Sequence, residues 1–223
     1  MMAPRDWGAF PLIKAPNTPR LAPIAVIGLY NSGSTAIAGL LHRLGVDMGA
    51  PFWKVSDDGS RANYYEPWDL SARLREWWNE PEIQERVDRQ TRLAYLTDWR
   101  LGRASDHSGP TGAKHPLLSL CGGEILEAWG ASTRLLRAWR PLEESVERLK
   151  ARRWFPGHED PLQQRLWEAS EELCAQRPHL RIDYHRLKHD PNAVVREIVA
   201  HTALEPTPAG LASAVAFIDR GAG

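Results

Sequence analysis

The stretch that decides the fold is Ile24–Gly45, IAVIGLYNSGSTAIAGLLHRLG. It opens on an apolar run suited to a buried strand and passes through a glycine-containing turn. Ile37, Leu40, Leu41 and Leu44 then fall at i, i+3, i+4 and i+7, one face of a helix that stops at Gly45. Gly28, Gly33 and Thr35 match the phosphate-binding spacing G-x-x-x-x-G-K-[ST], but Ser34 stands at the lysine position. A loop between strand and helix is the right context for an anion, because backbone N–H groups at a helix N-terminus hold oxygens while the dipole favours negative charge. Asn31, Ser32, Gly33, Ser34 and Thr35 are therefore the candidate phosphate cradle.

Working outward, apolar runs alternate with helical periods from Leu21 onward. This predicts a three-layer α/β fold, P-loop NTPase-like, with a central, mostly parallel sheet flanked by helices. STRLLRAW, residues 132–139, reads as a strand, and Pro141 as the first residue of a helix with Glu143 and Glu144 in its first turn and a stripe of Leu142, Val146 and Leu149. HLRIDYHRL, residues 179–187, reads as another strand. Asp190 caps and Pro191 starts a helix buried through Val194, Val195, Ile198 and Val199, and a last helix runs through Leu211, Val215 and Ile218. The middle, from Phe52 to Pro110, mixes tryptophans and charges without one clean period. Segments Trp68–Trp78 and Ile83–Trp99 read as helices and Arg103–Gly112 as a loop. The chain holds ten tryptophans; those of the middle segment suit a cleft wall or a small core equally.

At 223 residues and 43% apolar, the chain supports one sizeable core. The proline-rich opening reads as an extended arm over residues 1–20, with a single domain over 21–223. Lys plus Arg and Asp plus Glu both number 28, so the balance gives no footprint of a sequence-independent nucleic-acid binder, and any anion site is local. Cys121 and Cys174 lie far apart, which suits packing roles in a reducing compartment. No run reaches the ~20 apolar residues of a membrane span, and the opening lacks a signal peptide's apolar centre. These features predict a soluble, cytoplasmic protein with no metal site.

A P-loop kinase or triphosphatase wants the loop lysine and an Asp ending a second apolar strand to hold magnesium. The one run of that form, Val215–Asp219, sits on a helical period near the C-terminus. The second strand-helix junction offers a different chemistry. Arg140 ends a strand and Ser145 lies one turn into WRPLEESVERLKARR, so a guanidinium and a hydroxyl aimed past a helix N-terminus can hold a second phosphate.

The two junctions together resemble the sulfotransferases that use 3'-phosphoadenosine 5'-phosphosulfate, whose first loop, K-S-G-T-T or R-S-G-T-T, binds the 5'-phosphosulfate while a separated arginine and serine hold the 3'-phosphate. The likeness runs in order from Ile24 to Leu204. LHRLGVDMG is similar to the helix end of bacterial members, NYYEPWDL to their glutamate after aromatics, AKHPLLSL to their strand ending in lysine, and LRIDYHRLKHDPNAVVREIVAHTAL to their closing tyrosine strand and helix. The resemblance implies sulfuryl transfer to a hydroxyl or amine of a small-molecule or carbohydrate acceptor by in-line displacement, without a metal. It puts Asn31 where the family has the loop lysine or arginine that neutralises the bridging oxygen. That departure leaves room for a catalytically degenerate nucleotide-binding module of the same fold, or for an ATP-dependent kinase. Lys114 matches a strand lysine beside the phosphosulfate and is the candidate replacement cation. Glu66 is the first candidate base for the acceptor proton and His115 the second. Lys54 and Arg61 fall in a segment expected to cover the cofactor, and Arg220 with Gly221 faintly resembles a C-terminal phosphate clamp.

Overall fold

A computed structural model describes residues 22–55, 62–106 and 108–219. The arm expected over residues 1–20, and Arg61, Arg220 and Gly221, lie outside the described residues.

The apolar run becomes β1 (Ile24–Gly28), every residue of which is buried. Successive side chains of a strand point to opposite faces. Ile24 and Val26 accordingly enter one hydrophobic cluster and Ala25 and Ile27 another, one on each side of the sheet. The sheet runs in the order β4 (Gly112–Lys114), β1, β5 (Arg134–Trp139), β6 (His179–Asp183), with every pairing parallel. Parallel strands need helical crossovers on both faces, and the helices supply them. On the first face lie α1 (Ser34–Arg43), α8 (Pro191–Thr202) and α9 (Pro208–Asp219). On the second lie α2 (Trp68–Trp78), α3 (Arg89–Asp106), a 3-10 helix (Pro116–Cys121), α4 (Gly122–Trp129) and α6 (Glu159–Gln176). This is the three-layer α/β arrangement expected from the alternating pattern.

The local signals hold in α8, where Asp190 accepts from the Ala193 N–H at 3.0 Å and Pro191 occupies the first turn. Pro141 stands one position outside the expected place, at the N-cap of α5 (Leu142–Arg152). The strand expected over residues 179–187 is shorter. Asp183 accepts from the N–H groups of His185 (2.8 Å) and Arg186 (3.1 Å), so a short helix, α7 (Tyr184–His189), begins where the strand was expected to continue.

The middle segment departs most. Its charged and aromatic mixture hides an antiparallel hairpin of β2 (Phe52–Val55) and β3 (Ala62–Pro67). Helix α3 starts later than expected because Asp88 caps it, accepting from the Thr91 N–H at 3.0 Å. It then runs through Arg103, in the stretch expected to be a loop, and Arg103 donates to the Ala50 carbonyl at 2.8 Å. Cys121 and Cys174 are free and buried, and burial pushes their thiols up to about 12 and about 11. Val215–Asp219 lies in α9, a helix. Among the described residues, no helix is long and apolar enough to cross a membrane.

Candidate functional site

Because the four central strands are parallel, their C-terminal ends share one edge of the sheet, where open α/β sheets hold ligands. Gly28, Lys114, Arg140 and Tyr184 meet there, at the ends of β1, β4, β5 and β6. Lys114, Arg140 and Tyr184 line a cleft of about 480 Å3, within the range of small-molecule sites.

The loop after β1 turns through positive φ at Gly28 (140°), Asn31 (59°) and Gly33 (94°). Gly33 requires glycine on two counts: its left-handed backbone, and the Tyr184 ring, which would lie 2.3 Å from an added Cβ. The N-terminus of α1 carries no side-chain cap and no acidic residue in its first turn, so its N–H groups and dipole stay available to an anion. Asn31, Gly33, Ser34 and Thr35 line the cleft. Ser32 does not: its hydroxyl donates to the Leu29 carbonyl at 2.7 Å and holds the turn in shape.

Arg140 is 3% exposed and its guanidinium lies 3.9 Å from the Tyr184 ring centroid. Burial, and then the neighbouring charge of Arg148, lower its pKa against the pull of Glu144. Glu144 Oε1, 3.5 Å from Arg140 Nε, supplies part of its counter-charge. Ser145 is fully buried behind this wall. Asn31 Nδ2, Arg140 Nε and Ser145 Oγ are buried polar atoms without a hydrogen-bond partner. Such atoms are uncommon in a folded protein, and each calls for an explanation. Asn31 and Arg140 line the cleft, where a ligand rich in oxygen acceptors would meet them, and Ser145 does not line it.

Across the cleft, Lys114 Nζ donates to Glu66 Oε1 at 2.6 Å and to Thr35 Oγ1 at 3.1 Å. The strand lysine therefore reaches the last residue of the loop. Burial pushes the Glu66 carboxyl up, but the charge and hydrogen bond of Lys114 oppose it, and Glu66 is held below its ordinary value. Burial lowers Lys114, with Glu66 opposing. His115 spends Nδ1 on the Leu117 N–H (3.1 Å), capping the 3-10 helix. Burial pushes its pKa down to about 3, so the ring is neutral near pH 7. With Nδ1 accepting, the ring proton belongs on Nε2, which lies 3.8 Å from Glu66 Oε2.

Several lining groups left no local trace in the sequence. Tyr30 donates its hydroxyl to Glu80 Oε1, and Glu80 Oε2 pairs with Arg75 at 3.1 Å; this network joins residues 50 positions apart in the chain. Trp154 and Phe155, after α5, form an aromatic wall with Tyr64 and Tyr30 through edge contacts at 6.0 and 5.3 Å. Of the middle segment's tryptophans, Trp53 lines the cleft while Trp77, Trp78 and Trp99 pack in the core. Tyr184 had a signal that was read as strand: the Asp before it caps a helix. Lys54 lies in β2, with its side chain outside the described residues. Among the described residues, no group of three or more His, Cys, Asp or Glu side chains is arranged to hold a metal.

Solved structures share this architecture. The sulfotransferase STF9 from Mycobacterium avium matches with a TM-score of 0.61 over 93% of this chain and 70% of its own, at 14% identity. The sulfotransferase STF1 from Mycobacterium tuberculosis H37Rv matches with a TM-score of 0.54 over 88% of this chain and 71% of its own, at 17% identity. The sulfotransferase domain of the Synechococcus PCC 7002 olefin synthase gives 0.52 over 88% and 78%, at 16% identity. No protein-family model matches the sequence, and no curated protein does.

Proposed function

The fold is that of the bacterial sulfotransferases, and we propose that the protein moves a sulfuryl group from 3'-phosphoadenosine 5'-phosphosulfate to a hydroxyl or amine of a small acceptor. The observation that carries this reading is the pairing of two strand-helix junctions at one cleft, which Asn31 and Arg140 both line, each with a buried polar atom that has no hydrogen-bond partner. The loop residues Asn31, Gly33, Ser34 and Thr35 would hold the 5'-phosphosulfate, framed by Ser32, and Arg140 with Ser145 the 3'-phosphate. When bound, the nucleotide supplies an activated sulfuryl group and a bisphosphate leaving group. The acceptor oxygen or nitrogen bonds to sulfur as the bridging S–O bond breaks, and the acceptor proton passes to Glu66. Lys114, which reaches Thr35 of the loop, would supply the cation that the loop itself lacks. Tyr30, Trp53, Tyr64, Trp154 and Phe155 form the acceptor's side of the cleft.

His115 fits the base role less well than Glu66, because its Nδ1 is taken by the Leu117 N–H and Nε2 carries the proton. A second reading is favoured by Asn31: an uncharged donor in a dry site forgoes about 3 kcal/mol of transition-state stabilisation, which suits a module that binds the nucleotide without turning it over. Calorimetry with adenosine 3',5'-bisphosphate, against ATP plus magnesium, tests the family of readings. Tight metal-independent binding of the bisphosphate supports the first two, and labelled sulfuryl transfer then separates them; preference for ATP with magnesium sinks both and leaves a kinase.

A further inference from the structure

Helix α6 packs its inward face with Leu162, Leu166 and Leu173, but among them stands Gln163, fully buried. An amide in such a place is costly unless every polar atom is satisfied. Its three hydrogen bonds have a common purpose. Gln163 Oε1 accepts from the Tyr30 N–H at 3.1 Å, and Nε2 donates to the Tyr30 carbonyl at 2.9 Å and to the Ser145 carbonyl at 3.1 Å. Tyr30 precedes Asn31 in the loop after β1, while Ser145 lies in the first turn of α5. One side chain thus grips both peptide groups of one anion-binding segment and the backbone of the other, from an element that belongs to neither. A leucine there would fill similar space and tie nothing together.

We propose that Gln163 is a positioning residue that sets the spacing between the two phosphate subsites, so that one bis-phosphorylated nucleotide engages both at once. The proposal rests on the functional reading above. A ligand with two anionic ends gains from its second contact only when geometry allows simultaneous engagement, and the gain is lost when the sites shift apart. A strut between the subsites therefore acts on the bisphosphate and spares ligands that use one subsite.

The test compares Gln163→Met, which removes all three hydrogen bonds at similar volume, with Gln163→Glu, which removes the two donors. Kd values for adenosine 3',5'-bisphosphate and adenosine 5'-phosphate are measured by calorimetry, with thermal unfolding as a control for folding. In both variants the preference for bisphosphate over monophosphate should fall about tenfold, with the monophosphate Kd changing by less than about threefold. Ser145→Ala should lower the same preference in the wild type and add little in the Gln163→Met background, because the subsites are already uncoupled. An unchanged preference, whether both ligands weaken together or neither does, overturns the proposal, and so does failure of both variants to fold, which would mark Gln163 as a core residue. A wild-type protein with no preference for the bisphosphate sinks the functional reading itself, before any variant is measured.

Discussion

Lys114→Met probes the ion pair on which the site is built. Lys114 is 2% exposed and Glu66 6%, and their 2.6 Å contact is a charge-assisted hydrogen bond in a dry environment. Removing one partner of a buried pair leaves the other charge uncompensated, a loss of about 3–5 kcal/mol. The variant should lose that amount at pH 7.5 in urea unfolding. Glu66→Gln orphans Lys114 instead and should cost less, since the amide oxygen still accepts from Nζ. The double variant carries neither charge, so it should lie well short of the sum of the two singles.

The pH dependence fixes the sign. In the wild type the Glu66 pKa is depressed, so its contribution is present above the unfolded carboxyl value of about 4.3 and is retained throughout pH 5–7.5. Without Lys114, burial raises the Glu66 pKa, and the penalty is full only above that raised value. A proton taken up there, or by His115 at 3.8 Å, cancels the orphaned charge. The stability gap between wild type and Lys114→Met should therefore narrow on going from pH 7.5 to 5. Strictly additive singles, together with a gap independent of pH, would refute the claim that these charges stabilise one another.

Arg140→Ala should weaken adenosine 3',5'-bisphosphate by about 2–4 kcal/mol in calorimetry while leaving adenosine 5'-phosphate nearly unchanged; equal losses remove the 3'-phosphate assignment. His115 is held at about 3 against about 6.5 unfolded, so its contribution to stability is complete above pH 6.5 and drains away below it. By pH 5 the wild type should have lost about 2 kcal/mol relative to His115→Asn, which keeps a capping acceptor but does not titrate, and parallel denaturation curves at pH 7 and 5 that do not diverge would contradict this. Glu66→Gln should abolish sulfuryl transfer and leave bisphosphate affinity intact; retained turnover moves the base elsewhere. Asn31→Lys should raise the transfer rate in a competent enzyme, whereas tighter nucleotide binding without turnover identifies a binding module.

Much of the frame was legible because it depends on local chemistry. β1, α1 and α8 announce themselves by an apolar run, a 3.6-residue period and an Asp-Pro cap, none of which needs a distant partner. The hairpin β2–β3 and the start of α3 were hidden because tertiary packing, not propensity, decides them: aromatic residues such as Tyr65 and Trp53 serve as strand residues and as packing surface at once. The loop residues that line the cleft were visible as spacing, but nothing in the sequence showed that the Ser32 hydroxyl would be spent on its own turn. The Tyr30–Glu80–Arg75 network and the Gln163 strut could not be read at all. Gln163 lies 133 residues from Tyr30, and one glutamine in an amphipathic helix carries no mark of what it will touch.

The loop's missing cation bears on mechanism through the same pair. A lysine in the loop would present its charge to phosphate permanently and stabilise bound nucleotide and transition state alike. Lys114 arrives instead from the neighbouring edge strand, touching Thr35 Oγ1 while its charge is balanced by Glu66. On the proposed function that balance ends when Glu66 accepts the acceptor's proton, because a neutral carboxyl no longer offsets the ammonium. The positive charge on Lys114 then becomes uncompensated at the step in which negative charge gathers on the bridging oxygen. Stabilisation confined to that step raises turnover, whereas stabilisation shared with the ground state only tightens binding. On that proposal, Glu66 and Lys114, joined by one 2.6 Å hydrogen bond, replace a loop lysine without reproducing its grip on the resting nucleotide.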